Sequence, residues 1–206
     1  MQTIGRHAVT NQSIEHAEVD DLLASLMGRK VSVLYSDPPW GDGNMKYWVT
    51  MNKKMTGRDC KPLTYEQLLS RIFGFIHWHV DGHVFIETGV RWGDMLARRF
   101  VNEGLFGVSV FNLRYASGST LLQNSLVFGG TAQRHKFEGL DPCPYRGADL
   151  VRRVVGHVKN PGGIVFDPCC GMGYTARAAI ASGMDFIGNE FNAARLAKTV
   201  AILSRA

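Results

Sequence analysis

The order of apolar and amphipathic segments in this chain predicts an α/β fold, with a mostly parallel sheet and helices on both of its faces. Two observations carry the prediction. Short, continuous apolar runs of the kind that form buried strands recur along the chain, as at Val31–Tyr35 and Ile164–Phe166. Between such runs, apolar residues recur at helical spacing, and glycine or proline stands where a segment should end.

Each element follows from its own pattern. An amphipathic helix is predicted over 14–27, and another begins at Thr64, with Glu66 and Gln67 in its first turn. Two strands, 105–113 and 121–128, are separated by Ser117-Gly118-Ser119 and are predicted to form a hairpin at a sheet edge. The other predicted strands are 6–10, 31–36, 83–87, 164–167 and 186–190, and the other helices are 92–101, 147–159, 176–182 and 193–203.

Two segments, 41–63 and 130–146, are interrupted by glycine, proline or asparagine and are predicted to be irregular. The first contains aromatic residues, methionines and lysines, and it follows directly on the end of a predicted strand. Both are predicted to be substrate-facing loops, although the composition of the first fits an ordinary surface connection equally well.

Length and composition predict a single domain, 1–206, with enough apolar residues (45%) for a substantial core. No apolar run has the length needed to cross a bilayer, and Met1–Asp20 lacks the apolar segment of a signal peptide. We therefore expect a protein of the cytoplasm, in a bacterial, archaeal or phage-infected cell, with no membrane partner.

Cysteine and histidine predict neither a disulfide framework nor a metal site. Four cysteines do not make a framework in a chain of this length, and Cys169 and Cys170 are adjacent rather than at zinc-ligand spacing. The histidines of the segment 77–83 are interpreted as helix-end residues.

The first candidate site is Ser36-Asp37-Pro38-Pro39-Trp40, which stands where the strand 31–36 should end. Two consecutive prolines cannot continue a sheet ladder or enter a helix interior, so the chain must leave the sheet in a stiff, extended turn. An acid, a proline carbonyl and an indole are thereby held at the carboxyl end of a strand, where open α/β sheets bind ligands. A simple strand-end loop with Trp40 as a core anchor is the alternative.

The second candidate site follows the strand 164–167. Asp167-Pro168-x-x-Gly171-x-Gly173 leads from that strand into a helix, and its glycines let the backbone approach a ligand closely. Glu190 ends the next predicted strand, where a carboxylate can accept two hydrogen bonds from ribose hydroxyls. A tight turn followed by a surface acid is the alternative for this motif taken alone.

Together the two motifs resemble those of the S-adenosylmethionine-dependent amino-methyltransferases that act on exocyclic amines of nucleic-acid bases. Because the Asp-Pro-Pro-Trp motif comes first, the chain looks like their permuted, beta-class type, the N6-adenine/N4-cytosine DNA methyltransferases, in a minimal form without a target-recognition domain. The stretch 166–175 is similar to the family's Asp-Pro-Phe-x-Gly-Ser-Gly-Thr-Thr. Cys169 replaces the usual phenylalanine, Met172 the common serine, and Arg146-Gly147 the usual Lys-Pro.

This resemblance implies a Rossmann-like methyltransferase fold, with a mostly parallel seven-stranded sheet and an antiparallel edge hairpin. It implies a catalytic-motif half, 1–130, and a cofactor-motif half, 145–206. The implied catalytic residues are Asp37, Pro38, Pro39 and Trp40. The implied S-adenosylmethionine-binding residues are Asp167, Pro168, Cys169, Gly171, Gly173, Thr175, Glu190 and Phe191.

The implied reaction is methylation of an exocyclic base amine, with adenine N6 in DNA favoured because Asp-Pro-Pro is commoner for adenine in the family. RNA adenine methylation, DNA cytosine N4 methylation and methylation of a protein glutamine are the alternatives, and the motif order disfavours the last. A catalytically inactive binding module is a further alternative, which the joint presence of Asp37, Trp40 and Glu190 disfavours.

A net charge of +5 and an isoelectric point of about 9.1 suit a polyanionic partner. Two polar stretches are predicted to share a rim that binds phosphates. The first contains Lys53, Lys54, Arg58 and Lys61, and the second Arg134, His135, Lys136 and Arg146. DNA is favoured over RNA as the partner. Since neither loop is long, we expect short or relaxed sequence specificity, unless a homodimer or a partner subunit supplies target recognition.

Overall fold

One sheet of eight strands organises the described part of the chain in a computed structural model. The structure describes residues 1–206 except 25, 27, 62, 118–119, 133–138 and 143–144, and only the backbone of 114–117 and 120–122. The strands are β1 Gln2–Ile4, β2 His7–Thr10, β3 Val31–Ser36, β4 Val80–Gly89, β5 Phe106–Ser117, β6 Thr120–Gly130, β7 Ile164–Asp167 and β8 Asp185–Asn189. The helices are α1 Ala17–Ala24, α2 Gly41–Thr56, α3 Tyr65–His79, α4 Val90–Asn102, α5 Gly147–His157, α6 Tyr174–Ala181 and α7 Ala193–Leu203.

The strand order is β1-β2-β8-β7-β3-β4-β6-β5. The five strands from β2 to β4 in that order run parallel, and antiparallel pairs form both edges. The α/β prediction and the edge hairpin, β5–β6, are confirmed. The count of seven strands is wrong, because the short β1 pairs with β2 and adds a second antiparallel edge. The predicted turn at Gly118-Ser119 lies outside the described residues.

Apolar side chains form one core on each face of the sheet, and alternation along β3 assigns its residues to them. Leu34 packs in the core that contains Ile72 of α3. Val33 and Tyr35 pack in the other, which contains Val154 of α5. The same alternation decides which strand-end side chains face a common cavity.

Residues 41–56 correct a prediction, because they form the helix α2 rather than an irregular loop. Met45 and Asn52 are buried at helical spacing, and the Asn52 side chain donates to the Arg58 carbonyl oxygen at 3.1 Å. Gly57 ends the helix with a φ of 71°, a conformation that favours glycine. Tertiary burial therefore outweighs the low helix propensity of the glycines and asparagines in this segment. The other predicted loop, 130–146, is described only in part.

The start of α3 confirms the predicted helix start at Thr64. The Thr64 hydroxyl accepts from the Gln67 N–H, and the Gln67 side chain accepts from the Thr64 N–H, which forms a capping box. His77 and His79 lie in the last turn of α3, but His83 lies within β4, so interpreting all three as helix-end residues is wrong for His83.

Three further findings concern the described residues alone. Cys60, Cys169 and Cys170 are free thiols. No described helix has both the length and the apolar character to cross a membrane. The described His, Cys, Asp and Glu side chains form no group of three or more suited to hold a metal ion.

Gly82 is required where β4 passes β3. A Cβ at Gly82 would lie 2.0 Å from the backbone oxygen of Ser32, so Gly82→Ala forces the two strands apart. We expect the substitution to lower the free energy of unfolding by about 2 kcal/mol or more. As the control, Gly74→Ala in α3 meets nothing within 4 Å and should raise stability by about 0.5–1 kcal/mol. Urea unfolding measures both, and wild-type stability of Gly82→Ala would contradict this strand contact.

Candidate active site

The two sequence motifs meet at the carboxyl edge of the sheet, because β3 and β7 lie side by side. Val33 pairs with Val165 and Leu34 with Phe166 in parallel register. The strand that follows β7 in the chain, β8, lies on one side of the β7–β3 pair. The strand that follows β3, β4, lies on the other side. Such a switch in direction opens a crevice at the ends of the strands, and the candidate site lies there.

The turn after β3 holds Trp40 beside Asp37. The Trp40 Nε1–H donates to Asp37 Oδ1 at 3.2 Å. The indole packs where β4 ends, since a Cβ at Gly89 would be 3.5 Å from the ring. Gly41, with a φ of 73°, then starts α2 so close to Trp92 that a Cβ would lie 3.1 Å from its ring. The hydrogen bond to Asp37 and the contact with Gly89 hold the indole at the strand end.

Asp37 is reached by solvent through the crevice, yet protein surrounds its carboxyl group. Burial raises the pKa of Asp37 to about 6, while the Trp40 hydrogen bond and the positive charge of Arg195 oppose this rise. Asp37 is therefore largely ionised at neutral pH and can accept hydrogen bonds.

Two cavities meet at Asp37. The first, of about 370 Å³, extends past Pro38 and Pro39 to Glu190 and Phe191. The second, of about 540 Å³, extends to the turn after β7 and to the ends of β4 and β6. The residues that line both are Asp37, Trp40, Cys169 and Arg195. The sequence motifs therefore form the walls of two adjoining spaces rather than of one.

Asp167 organises the turn after β7. Its carboxylate accepts from the Cys169 N–H at 3.0 Å and from the Thr175 hydroxyl at 2.6 Å. Burial raises the pKa of Asp167 to about 7, although both hydrogen bonds favour the charged form. Asp167 and Thr175 line the second cavity, whereas Pro168 lines the first.

The two glycines of the turn serve different contacts. Gly173 has a φ of 81°, and a Cβ there would be 2.8 Å from Ile202, so the glycine lets α6 start against α7. Gly171 has a φ of 49° and lines the second cavity. A Cβ at Gly171 would lie 2.7 Å from the Arg195 guanidinium. Both positions require glycine for conformation and space.

Glu190 follows β8 and ties the glycine turn to the start of α7. Its carboxylate accepts the Gly171 N–H at 2.9 Å and the Asn192 N–H at 2.8 Å. Burial raises the pKa of Glu190 above its usual value, against these hydrogen bonds and the charge of Arg195. Glu190 and Phe191 both line the first cavity.

Two of the predicted phosphate-binding residues are engaged within the protein. Lys53 forms an ion pair with Asp59 at 2.6 Å. Arg58 donates to the backbone and side-chain oxygens of Asn11 and to Gln12, and its guanidinium lies 4.6 Å from the centre of the Phe191 ring. Arg58 therefore anchors the segment after β2.

The remaining basic residues lie near different cavities. Lys54 is exposed near the end of α2, and Lys61 lines the first cavity. Arg146 is exposed and lines the second cavity. Arg134, His135 and Lys136 lie outside the described residues. Among the predicted phosphate-binding residues that the structure describes, Lys61 thus lies at the first cavity and Arg146 at the second.

Three polar residues of the second cavity were missed from the sequence. Glu87, at the end of β4, accepts from the Tyr35 hydroxyl at 2.7 Å and from Asn124 Nδ2 at 2.8 Å. Burial, followed by the negative charge of Asp37, raises the pKa of Glu87 to about 8. An available signal was the acid at the end of a predicted buried strand, the same signal that identified Asp37.

Arg195 and Trp48 were also missed. The Arg195 guanidinium, on α7, lies 4.5 Å from the centre of the Trp48 ring, on α2. This pair bridges the two helices at the first cavity, which both residues line. The sequence carried no signal for it, because the residues come from distant segments and pack only when α2 is folded.

The comparisons with known proteins agree with this geometry. Residues 142–200 match the family model described as DNA methylase. The match agrees with the family predicted from the sequence, and it covers the glycine turn and Glu190 but not the Asp37 motif. No curated protein matches the chain.

Several solved structures share the fold. The M1.HpyAVI–SAM complex is 15% identical, with a TM-score of 0.67 over 95% of this chain and 98% of that chain. TTHA0409 from Thermus thermophilus, described as a putative DNA modification methylase complexed with S-adenosyl-L-methionine, is 16% identical, with a TM-score of 0.61 over 97% and 93%. The PvuII DNA methyltransferase (cytosine-N4-specific) is 14% identical, with a TM-score of 0.63 over 98% and 90%. The methyltransferase-type fold predicted from the sequence is thereby confirmed.

The buried carboxyl groups predict that stability falls as pH rises. The folded-state pKa values of about 6, 7 and 8 for Asp37, Asp167 and Glu87 exceed the ordinary values, so folding favours the neutral acids. Their contribution is present below about pH 4 and is lost between about pH 4 and pH 8 as they ionise. We expect a lower melting temperature at pH 8.5 than at pH 5.5. Glu87→Gln should reduce the difference, and a melting temperature that rises over this range would contradict it.

Proposed function

We propose that this chain is an S-adenosylmethionine-dependent DNA methyltransferase that methylates an exocyclic base amine, with adenine N6 as the favoured acceptor. The observation that carries the proposal is the position of Asp37 and Trp40 where two cavities meet, beside the glycine turn and Glu190. Methyl transfer requires the cofactor and the acceptor base to bind next to each other, and adjoining cavities allow this. The family-model match to the cofactor-motif segment supports the same function.

The residues present fit S-adenosylmethionine, which two of the similar structures hold. Asp37, Glu87 and Asp167 line the second cavity, and none of them forms an ion pair with a described Lys or Arg side chain. Asp167 is buried and has no ion pair with a described cation, so its side of the cavity favours a ligand with positive charge. Each Glu190 oxygen accepts one backbone N–H and keeps capacity for a ribose hydroxyl.

The proposed catalytic residues act by positioning and charge. When bound, S-adenosylmethionine supplies an electrophilic methyl group on its sulfonium. An exocyclic base amine is a poor nucleophile, because its lone pair is delocalised into the ring. The Asp37 carboxylate and the Pro38 carbonyl accept its hydrogens and draw the nitrogen toward tetrahedral geometry. Trp40 stacks on the extruded base, and Pro39 keeps the turn extended. Asp37 then holds the proton that leaves the methylated amine.

The favoured acceptor follows from the first residue of the catalytic motif. Asp37 at the start of the motif favours adenine. DNA cytosine N4 is the second candidate, because one similar structure is a cytosine-N4-specific DNA methyltransferase. RNA adenine remains the third. The recognised DNA sequence should be short. The helix α2 directly follows the Asp37 motif, but its exposed lysines suit contacts to phosphates better than contacts to base edges.

A methyl-transfer assay tests the proposal. The purified chain is incubated with isotopically labelled S-adenosylmethionine and, separately, long random-sequence DNA, RNA and a glutamine-containing peptide. Mass spectrometry of the digested products should show labelled N6-methyladenine from DNA, at sites that share only a few bases. Label in N4-methylcytosine or in RNA would change the acceptor, and label in the peptide alone would overturn the proposal.

Asp37→Ala tests the catalytic residue in this assay, and Asp59→Ala is its control. Cofactor affinity should be kept, whereas turnover should fall by about a hundredfold or more, because the charged acceptor of the amine is lost. Asp59→Ala, which removes an exposed acid on the chain segment after α2, should retain turnover. Wild-type turnover in Asp37→Ala would remove Asp37 from the chemistry.

Glu190→Ala tests the cofactor assignment separately. Loss of the hydrogen bonds to a charged group should weaken S-adenosylmethionine binding by about 1–3 kcal/mol, as measured by calorimetry. Because Glu190 also ties Gly171 to Asn192, circular dichroism and melting temperature should be recorded in parallel. Unchanged affinity in a folded variant would contradict the assignment.

A further inference from the structure

Glu87 is the acid nearest to Asp37 along the sheet, and the reaction proposed above gives it no role. Ser36 pairs with Ile86 in parallel register, so Glu87, near the end of the β4 ladder, lies level with Asp37, which directly follows β3. Glu87 also lies two residues beyond Phe85, which shares a core with Tyr35. The two acids therefore stand at neighbouring strand ends and line the same cavity.

The Glu87 carboxyl group is held rigidly. Both of its oxygens accept hydrogen bonds, one from the Tyr35 hydroxyl and one from Asn124 Nδ2. Glu87 is 6% exposed and Asn124 5% exposed, and both line the second cavity. Oδ1 of Asn124 is buried without a hydrogen-bond partner among the described residues. A buried acceptor therefore lies beside this fixed carboxyl group.

Two other carboxyl groups and two guanidinium groups line the cavity with Glu87. Asp37 follows β3 and Asp167 ends β7, and Tyr35 contributes its hydroxyl from β3. Arg146 precedes α5 and Arg195 lies on α7, and the thiols of Cys169 and Cys170 lie in the turn between β7 and α6. Neither arginine forms an ion pair with Glu87 within 4.0 Å.

We propose that Glu87 is a positioning residue that works as a neutral carboxylic acid, donating its O–H into the second cavity while Asp37 alone carries the negative charge at the reacting amine. Because Tyr35 and Asn124 already occupy one acceptor site on each oxygen, the remaining O–H is free to turn toward the cavity. In this form the Glu87 side of the wall offers a hydrogen-bond donor and no charge.

The chemical reason is the separation of roles between two neighbouring acids. Two ionised carboxylates this close repel one another, and one of them stays protonated in a buried site. Burial and the neighbouring negative charge of Asp37 raise the pKa of Glu87, against the hydrogen bonds from Tyr35 and Asn124. The competing arrangement is an ionised Glu87 that binds a positive group of the cofactor directly, and the two arrangements differ in the charge of Glu87 at neutral pH.

Carbon-13 NMR of the cofactor-free protein, with labelled Glu and Asp carboxyl groups, measures that charge without any methyl transfer. The signal that disappears in Glu87→Gln belongs to Glu87, and the one that disappears in Asp37→Asn belongs to Asp37. We expect Glu87 to be protonated at pH 7 and to titrate near pH 8. Asp37 should titrate near the same pH in wild type and in Glu87→Gln, because Glu87 is uncharged where Asp37 ionises. An ionised Glu87 at pH 7 would overturn the proposal, whatever the protein's activity.

The pH dependence of turnover gives the second measurement, and this one rests on the proposed function. Wild-type kcat, with saturating cofactor, should fall between about pH 7.5 and pH 9 as Glu87 loses its proton. Glu87→Gln should lack this fall, because an amide is a permanent donor, and should retain about tenfold more activity at pH 7 than Glu87→Ala, which leaves Tyr35 and Asn124 unpaired. A fall that persists in Glu87→Gln would overturn the positioning role. Absence of turnover in wild type would reject the proposed function, and the NMR titration would still decide the charge of Glu87.

Discussion

The parallel pairing of β3 with β7 is the contact on which the site depends. Only two residue pairs, Val33–Val165 and Leu34–Phe166, define its register, and they join segments that lie more than 130 positions apart in the chain. This pairing places the Asp-Pro-Pro-Trp turn beside the glycine turn, and it creates the switch point at which both cavities open. A shift of one residue would turn Asp37 and Asp167 to opposite faces of the sheet, because side chains alternate along a strand.

The same pairing concentrates negative charge. Asp37, Asp167 and Glu87 end three adjacent strands and share a cavity, although burial disfavours the ionised form of each. Such an arrangement opposes stability and is typical of sites built for a ligand. Burial raises the pKa of each acid, and the hydrogen bonds from Trp40, Thr175 and Tyr35 oppose that rise. Distinct roles for similar side chains follow from these differences in surroundings.

Most strands and most helices could be predicted, because their signals are local. Continuous apolar runs, the capping residue Thr64 and the glycines after helices act within a few residues of one another. The helix α2 could not be predicted in the same way. Its glycine and asparagine residues disfavour a helix, and its stability comes from burial of Met45 and Asn52 and from the contact of Trp48 with Arg195. The contacts of Lys53 with Asp59 and of Arg58 with Phe191 could not be predicted from the sequence either.

The sequence by itself determined the fold class, the order of the two motifs and the placement of Asp37 and Asp167 at strand ends, because prolines, glycines and apolar runs restrict the backbone locally. Tertiary structure alone decided which polar groups meet. The strand order β7-β3-β4-β6 brings Asp167, Asp37, Glu87 and Asn124 to one cavity, although β4 and β6 carry no recognisable motif. It also decided the charge of these groups, since a pKa depends on burial and on neighbours that are distant in the chain.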